Sequence, residues 1–127
     1  MDKHAREALA RRVAGLSSAD QTEVLVMDEN SALTRFTHNA IHQNVAHADT
    51  MISVRAVVGG CTGVARTNAL DDGALRDVVE RSLTIARLAP KDPLEAPLPA
   101  GGAFTAPPGA FVPETGSATA DLRASLA

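Results

Sequence analysis

Among its 127 residues the chain has no tryptophan, no tyrosine, three phenylalanines and a single cysteine, and no proline precedes Pro90. With so few aromatic rings there is no platform on which bases could stack, and the core has to be aliphatic. Cys61, alone, cannot close an internal disulfide, which fits a reducing cytoplasm. Twelve Lys and Arg stand against fifteen Asp and Glu, for a net charge of −3. No basic stripe interrupts that balance, so nucleic acid is not expected as a partner. Nor is a membrane, because no apolar run approaches the roughly 20 residues that a span needs. The N-terminal MDKHAREALARRVAGL lacks the unbroken apolar centre of a signal peptide.

What is present is enough for one aliphatic core: 45% of the residues are hydrophobic and the mean hydropathy is −0.01. Ala5, Ala8, Leu9, Val13 and Leu16 fall at helical spacing and predict an amphipathic first helix. VLVM, bounded by Asp28-Glu29-Asn30, reads as a first strand. Most of the β-type patterning lies in residues 31 to 68, with three of the four histidines. There Ala32, Thr34 and Phe36 alternate with Leu33, Arg35 and Thr37; His38-Asn39-Ala40 breaks the run, with Asn39 expected to supply a turn. The pattern restarts at Ile41. Ile41 to His47 forms a mostly polar strand, MISVRAVV another, and Gly59-Gly60 predicts a tight hairpin into CTGVART. Asp71 or Asp72 can cap a second helix whose stripe is Leu75, Val78, Val79, Leu83 and Ala86 and which Pro90 stops.

The expected fold is therefore α+β: an antiparallel sheet of about five strands with two helices on one face, in the order α-β-β-β-β-β-α, followed by a Pro/Gly-rich tail. All seven prolines lie between residues 90 and 113, so the domain is drawn at 1–92 and residues 93–127 read as an extended or disordered linker. TADLRASL, Thr119 to Leu126, looks like the start of a further helix, expected either of a truncated chain, the favoured reading, or of a C-terminal helix that docks elsewhere.

No complete catalytic site can be read from the residues. His38, His42 and His47 invite a metal reading, but on one strand His42 and His47 point to opposite faces and His38 stands in the turn before it. Cys61 is a small strand residue beside a turn, and Gly59-Gly60-Cys61-Thr62-Gly63 lacks the Lys and helix start of a phosphate loop. His42, Gln43, Asn44 and His47 are poor core residues, and Arg35 could hold a carboxylate or lie along the surface. Two readings stand for these five: a solvated edge, or a surface for a second subunit or an extended peptide.

SALTRFTHNAIHQNV, the SVRAVVGGCTGVARTN hairpin and LDDGALRDVVERSLTIARLAPKDP, taken in that order, resemble the N-terminal domain of the TldD/PmbA family across residues 20 to 93. The resemblance implies a cytoplasmic zinc metallopeptidase system that degrades or processes flexible peptides. The zinc would be held by a His-Glu-x-x-x-His helix and a Cys in a later part of such proteins. Here no His is followed by Glu, so no catalytic or metal-binding residue is carried over. On this resemblance the chain is an inactive scaffold and subunit-contact domain, with a second subunit of the same type and a flexible peptide as partners. The alternative is a stand-alone, non-catalytic module that binds peptides or proteins through a sheet edge.

Overall fold

A computed structural model describes residues 1–38, 40–94, 96–99, 101–102 and 105–126. In chain order the elements are α1 (Lys3–Ala14), β1 (Gln21–Thr37), β2 (Ala40–Val58), β3 (Cys61–Thr67), α2 (Asp72–Leu88), α3 (Pro113–Gly116) and α4 (Ala120–Ser125). The strands form one sheet in the order β1-β2-β3. The α+β class with an antiparallel sheet stands, but the described residues hold three strands, not five. The element order differs from the expected α-β-β-β-β-β-α accordingly.

The reason lies in partners remote in sequence. VLVM and the run from Ser31 are one strand because Asp28, which reads as a breaker, is satisfied inside it. Its carboxylate accepts a 2.8 Å hydrogen bond from Thr50 Oγ1 and pairs with the N-terminal amine, with Arg6 3.6 Å away. Ala48-Asp49 likewise fails to end β2, which runs through to Val58. A polar residue interrupts a strand only when its side chain competes for the backbone, and here the neighbouring strand occupies it instead.

By contact the chain divides into two units: Met1–Glu29 with Asp49–Pro99, and Asn30–Ala48 with Ala100–Ala127. The first holds the core. Ile52, Val54 and Ala56 on one face of β2 and Ala65 of β3 join Val13 of α1 and Leu75, Val78, Val79 and Leu83 of α2 in one buried cluster. The β2-β3 ladder sets Val54 against Ala65, Ala56 against Gly63 and Val58 against Cys61. The Gly-Gly turn joins them, with φ of 58° at Gly59 and 79° at Gly60, the left-handed values a two-residue hairpin needs. Asp20 accepts from the Gly59 amide at 2.7 Å and fastens that end.

Gly63 sets how closely α2 approaches the sheet. A Cβ there would stand 2.1 Å from the Ser82 carbonyl oxygen and 2.3 Å from the Ala86 amide nitrogen, so helix backbone rests directly on strand backbone. Ser82 is fully buried, its hydroxyl donating to the Val79 carbonyl at 2.7 Å, and Ala86 is equally buried. The helical stripe expected from the sequence is the buried stripe of α2, capped by the Asp71 carboxylate accepting from the Ala74 amide at 3.0 Å. In α1 the stripe is narrower: Val13 is buried and Leu9 packs beside it, while Ala5, Ala8 and Leu16 face solvent. Arg12 of α1 pairs with Asp72 of α2.

The other face of the first unit carries Glu23, Leu25, Met27 and Glu29 of β1, Met51, Ser53 and Arg55 of β2, and Val64 and Arg66 of β3. The helices α1 and α2 pack on the opposite side.

Candidate functional site

The second unit contains the arm, residues 30–48, in which every predicted contact residue lies. Arg35, His42, Gln43, Asn44 and His47 are all exposed. Strand alternation divides them: Arg35, Gln43 and His47 stand on one face, His42 and Asn44 on the other. On the first face Arg35 Nη1 donates to Gln43 Oε1 at 3.3 Å. Leu33, Ile41 and Val45 surround this pair and are exposed as well, so the face is amphipathic.

On the second face Thr34 Oγ1 donates to Asn44 Oδ1 at 3.2 Å, and a residue of the tail completes a network. Arg123 of α4 donates through Nε to Thr34 Oγ1 at 3.1 Å, through Nη2 to Asn44 Oδ1 at 3.3 Å, and through Nη1 to the Ala118 carbonyl. Sequence reasoning did not find Arg123. Its only signal was a lone cation on the short helical run after the prolines, and nothing in that run says what it meets.

His38 closes β1 with φ at 50°, a left-handed conformation uncommon for a residue with a Cβ, and its Nδ1 lies 3.1 Å from Thr37 Oγ1. The turn role expected of Asn39 lies outside the described residues.

Each unit also has a cavity. One of about 350 Å³ lies between the closed end of the β2-β3 hairpin and the segment after α2, lined by Asp20, Val57, Gly60, Lys91, Pro93 and Pro97. Leu98 donates its amide to Gln21 Oε1 at 2.9 Å beside it. The other, of about 550 Å³, lies in the second unit beneath α4 and is lined by Ala32, Ala118, Leu122, Arg123 and Leu126 among others.

Among the described residues no three of His, Cys, Asp and Glu gather to hold a metal ion. One carboxyl stands out electrostatically. Asp28 is held below the ordinary aspartate range, first by its hydrogen bond from the N-terminal amine and then by that from Thr50, against desolvation, with the charges of the amine and Arg6 adding less. That is a structural role. Among the described residues no helix is long and apolar enough to cross a membrane.

The described residues thus form a three-stranded antiparallel sheet with α1 and α2 packed on one face of the first unit. Residues 22–86, spanning β1 to α2, match the model for PmbA/TldA metallopeptidase domain 1, and the chain belongs to that family. The crystal structure of TldE from Thermococcus kodakarensis has the same fold, with a TM-score of 0.67 at 19% identity over 82% of this chain and 23% of that one. The chain thus spans about a quarter of the length of that protein. No curated protein sequence matches it.

Proposed function

We propose that this chain is the scaffold and contact domain of a PmbA/TldA-type zinc metallopeptidase system in the cytoplasm. The arm face of Arg35, Gln43 and His47 receives either a second subunit of the same type or the flexible peptide to be cleaved. The supporting observation is that face: three polar side chains, Arg35, Gln43 and His47, and three large apolar ones, Leu33, Ile41 and Val45, all exposed. In this reading the zinc and the hydrolytic step belong to residues other than these 127, in keeping with the missing His-Glu pair.

A specific observation also favours peptide capture by a non-catalytic module. The ladder with β3 covers only Ile52 to Val58 of β2, so β3 leaves that edge of the strand from Ala40 to Met51 uncovered. An extended peptide can add to such an edge, taking affinity from main-chain hydrogen bonds and selectivity from alternate side chains.

Replacing Gln43 and His47 by Ala tests both readings in the intact peptidase. Subunit association or peptide cleavage should weaken while thermal stability moves by no more than about 0.5 kcal/mol, the usual range for exposed positions. If assembly and cleavage both match the unsubstituted protein, the arm face is solvated surface and the reading fails.

A further inference from the structure

We propose that the open edge of β2 in the arm selects extended peptides carrying a carboxylate side chain with an apolar residue two positions away on either side. This selectivity rests on the peptide-capture reading above and adds the chemistry of what is captured. The arm, residues 30–48, contains no Asp and no Glu, although the whole chain holds fifteen and has a net charge of −3. Its one Lys or Arg is Arg35, on the face that also carries Ile41, Gln43 and Val45. The tail's acids, Glu114 and Asp121, belong to α3 and α4 on the other face, where Arg123 bonds Thr34 and Asn44 and Glu114 lines the cavity with Ala32.

Two side-chain amides point the same way. Gln43 Oε1 accepts from Arg35 Nη1 of β1 at 3.3 Å, which turns the oxygen towards β1. Nε2 of the same planar amide is thereby turned the opposite way, towards the edge that β3 leaves uncovered and that no other strand among the described residues pairs with. On the second face Asn44 Oδ1 accepts from Thr34 Oγ1 at 3.2 Å and from Arg123, so its Nδ2 is turned outward as well. Neither amide nitrogen has an acceptor among the described residues. A peptide added as a strand at this edge places alternate side chains on each face, and the one opposite Gln43 stands about 5 Å from it. A carboxylate fits that place, because it only accepts, and Arg35 lies one strand further on, about 10 Å away. A lysine there would require the Gln43 amide to turn over and set its N–H groups against Arg35. The peptide's next residue but one on either side meets Val45 or Ile41, whichever way the peptide runs, and is apolar. The neighbour facing Asn44 is an acceptor such as Ser or Thr.

Fluorescence anisotropy of the 127-residue chain reads the preference directly. The probes are labelled peptides of Ser and Thr with a valine two places before and two places after the centre, differing only in the central residue: Glu, Gln or Lys. The Glu peptide should bind roughly tenfold more tightly than the Lys peptide, with Gln between them, and the gap should narrow at high salt. Gln43→Glu should reverse the order, because the edge then presents an acceptor, and Arg35→Ala should shrink the gap by freeing the amide and removing the charge. Both positions are exposed, and circular dichroism checks that each variant folds. Equal binding of the three peptides, or an order that Gln43→Glu leaves unchanged, overturns the proposal while edge capture stands. If none of the peptides binds, edge capture itself is wrong and the selectivity falls with it.

Discussion

The two units share the same pair of strands yet are held by different forces. In the first, alternate residues of β2 and β3 meet two helices, and the eleven hydrophobic side chains buried among the described residues all lie in this unit. In the second, no described residue is fully buried, and the arm is tied by hydrogen bonds through Arg35, Thr34, Asn44 and Arg123. A two-stranded hairpin alone is marginal in water, so the arm depends on what contacts it, while the first unit depends on what it encloses. The lesson is that strand length reports pairing, and burial reports stability, and one element can have the first without the second.

The sharpest way to erase the contrast is to unseat α2. Gly63→Val places a branched side chain where even a methyl collides with helix backbone, and the first unit should lose cooperative unfolding altogether in a urea titration followed by circular dichroism. Next in size, Leu83→Ala removes a fully buried side chain from the core and should cost about 2–5 kcal/mol in the same titration. A folded Gly63→Val variant with an unchanged urea midpoint would contradict the packing described for α2.

A smaller effect depends on pH. Because the Asp28 carboxyl is lowered in the folded protein, its contribution is fully present above the ordinary aspartate value of 3.8 and is lost as the pH falls through the lowered value. The thermal midpoint of Asp28→Asn should therefore lie below that of the parent at neutral pH. The gap should close in acid below about pH 4. A gap that stays constant down to low pH would mean that Asp28 acts through shape and not through charge.

The smallest change sharpens the comparison instead of breaking it. Arg123→Ala should leave global stability within about 0.5 kcal/mol, since the residue lies outside the core. Amide exchange should nevertheless quicken across residues 30–48, because the tail's bonds to Thr34 and Asn44 are gone. Faster exchange in α2 as well would show that the two units are not energetically separate.

Much of the first unit was legible in the sequence because its signals are local. The stripe of α2, the Asp71 cap and the Gly-Gly turn each depend on residues within a few positions of one another. The strand count was not legible for the same reason. Asp28 looks like a breaker until Thr50 and the N-terminal amine, which are remote in sequence, are placed beside it. The candidate site was half legible: polar residues in a strand announced an exposed arm, but not that alternation would separate His42 and Asn44 from Arg35, Gln43 and His47. Arg123 was invisible because its partners lie 79 and 89 residues away.

Gly63 also works as a fidelity check on the hairpin. Were β3 to slip by two residues along β2, the strand would keep its face pattern and most of its ladder, and Cys61 or Ala65 would arrive beneath Ser82 and Ala86 in place of the glycine. Alternation alone cannot reject that error, because it preserves which side chains face inward. The helix can, since it seats only where the strand offers no Cβ. A misaligned hairpin could not seat α2, so the helix adds a second check on register to the one made by the Gly-Gly turn.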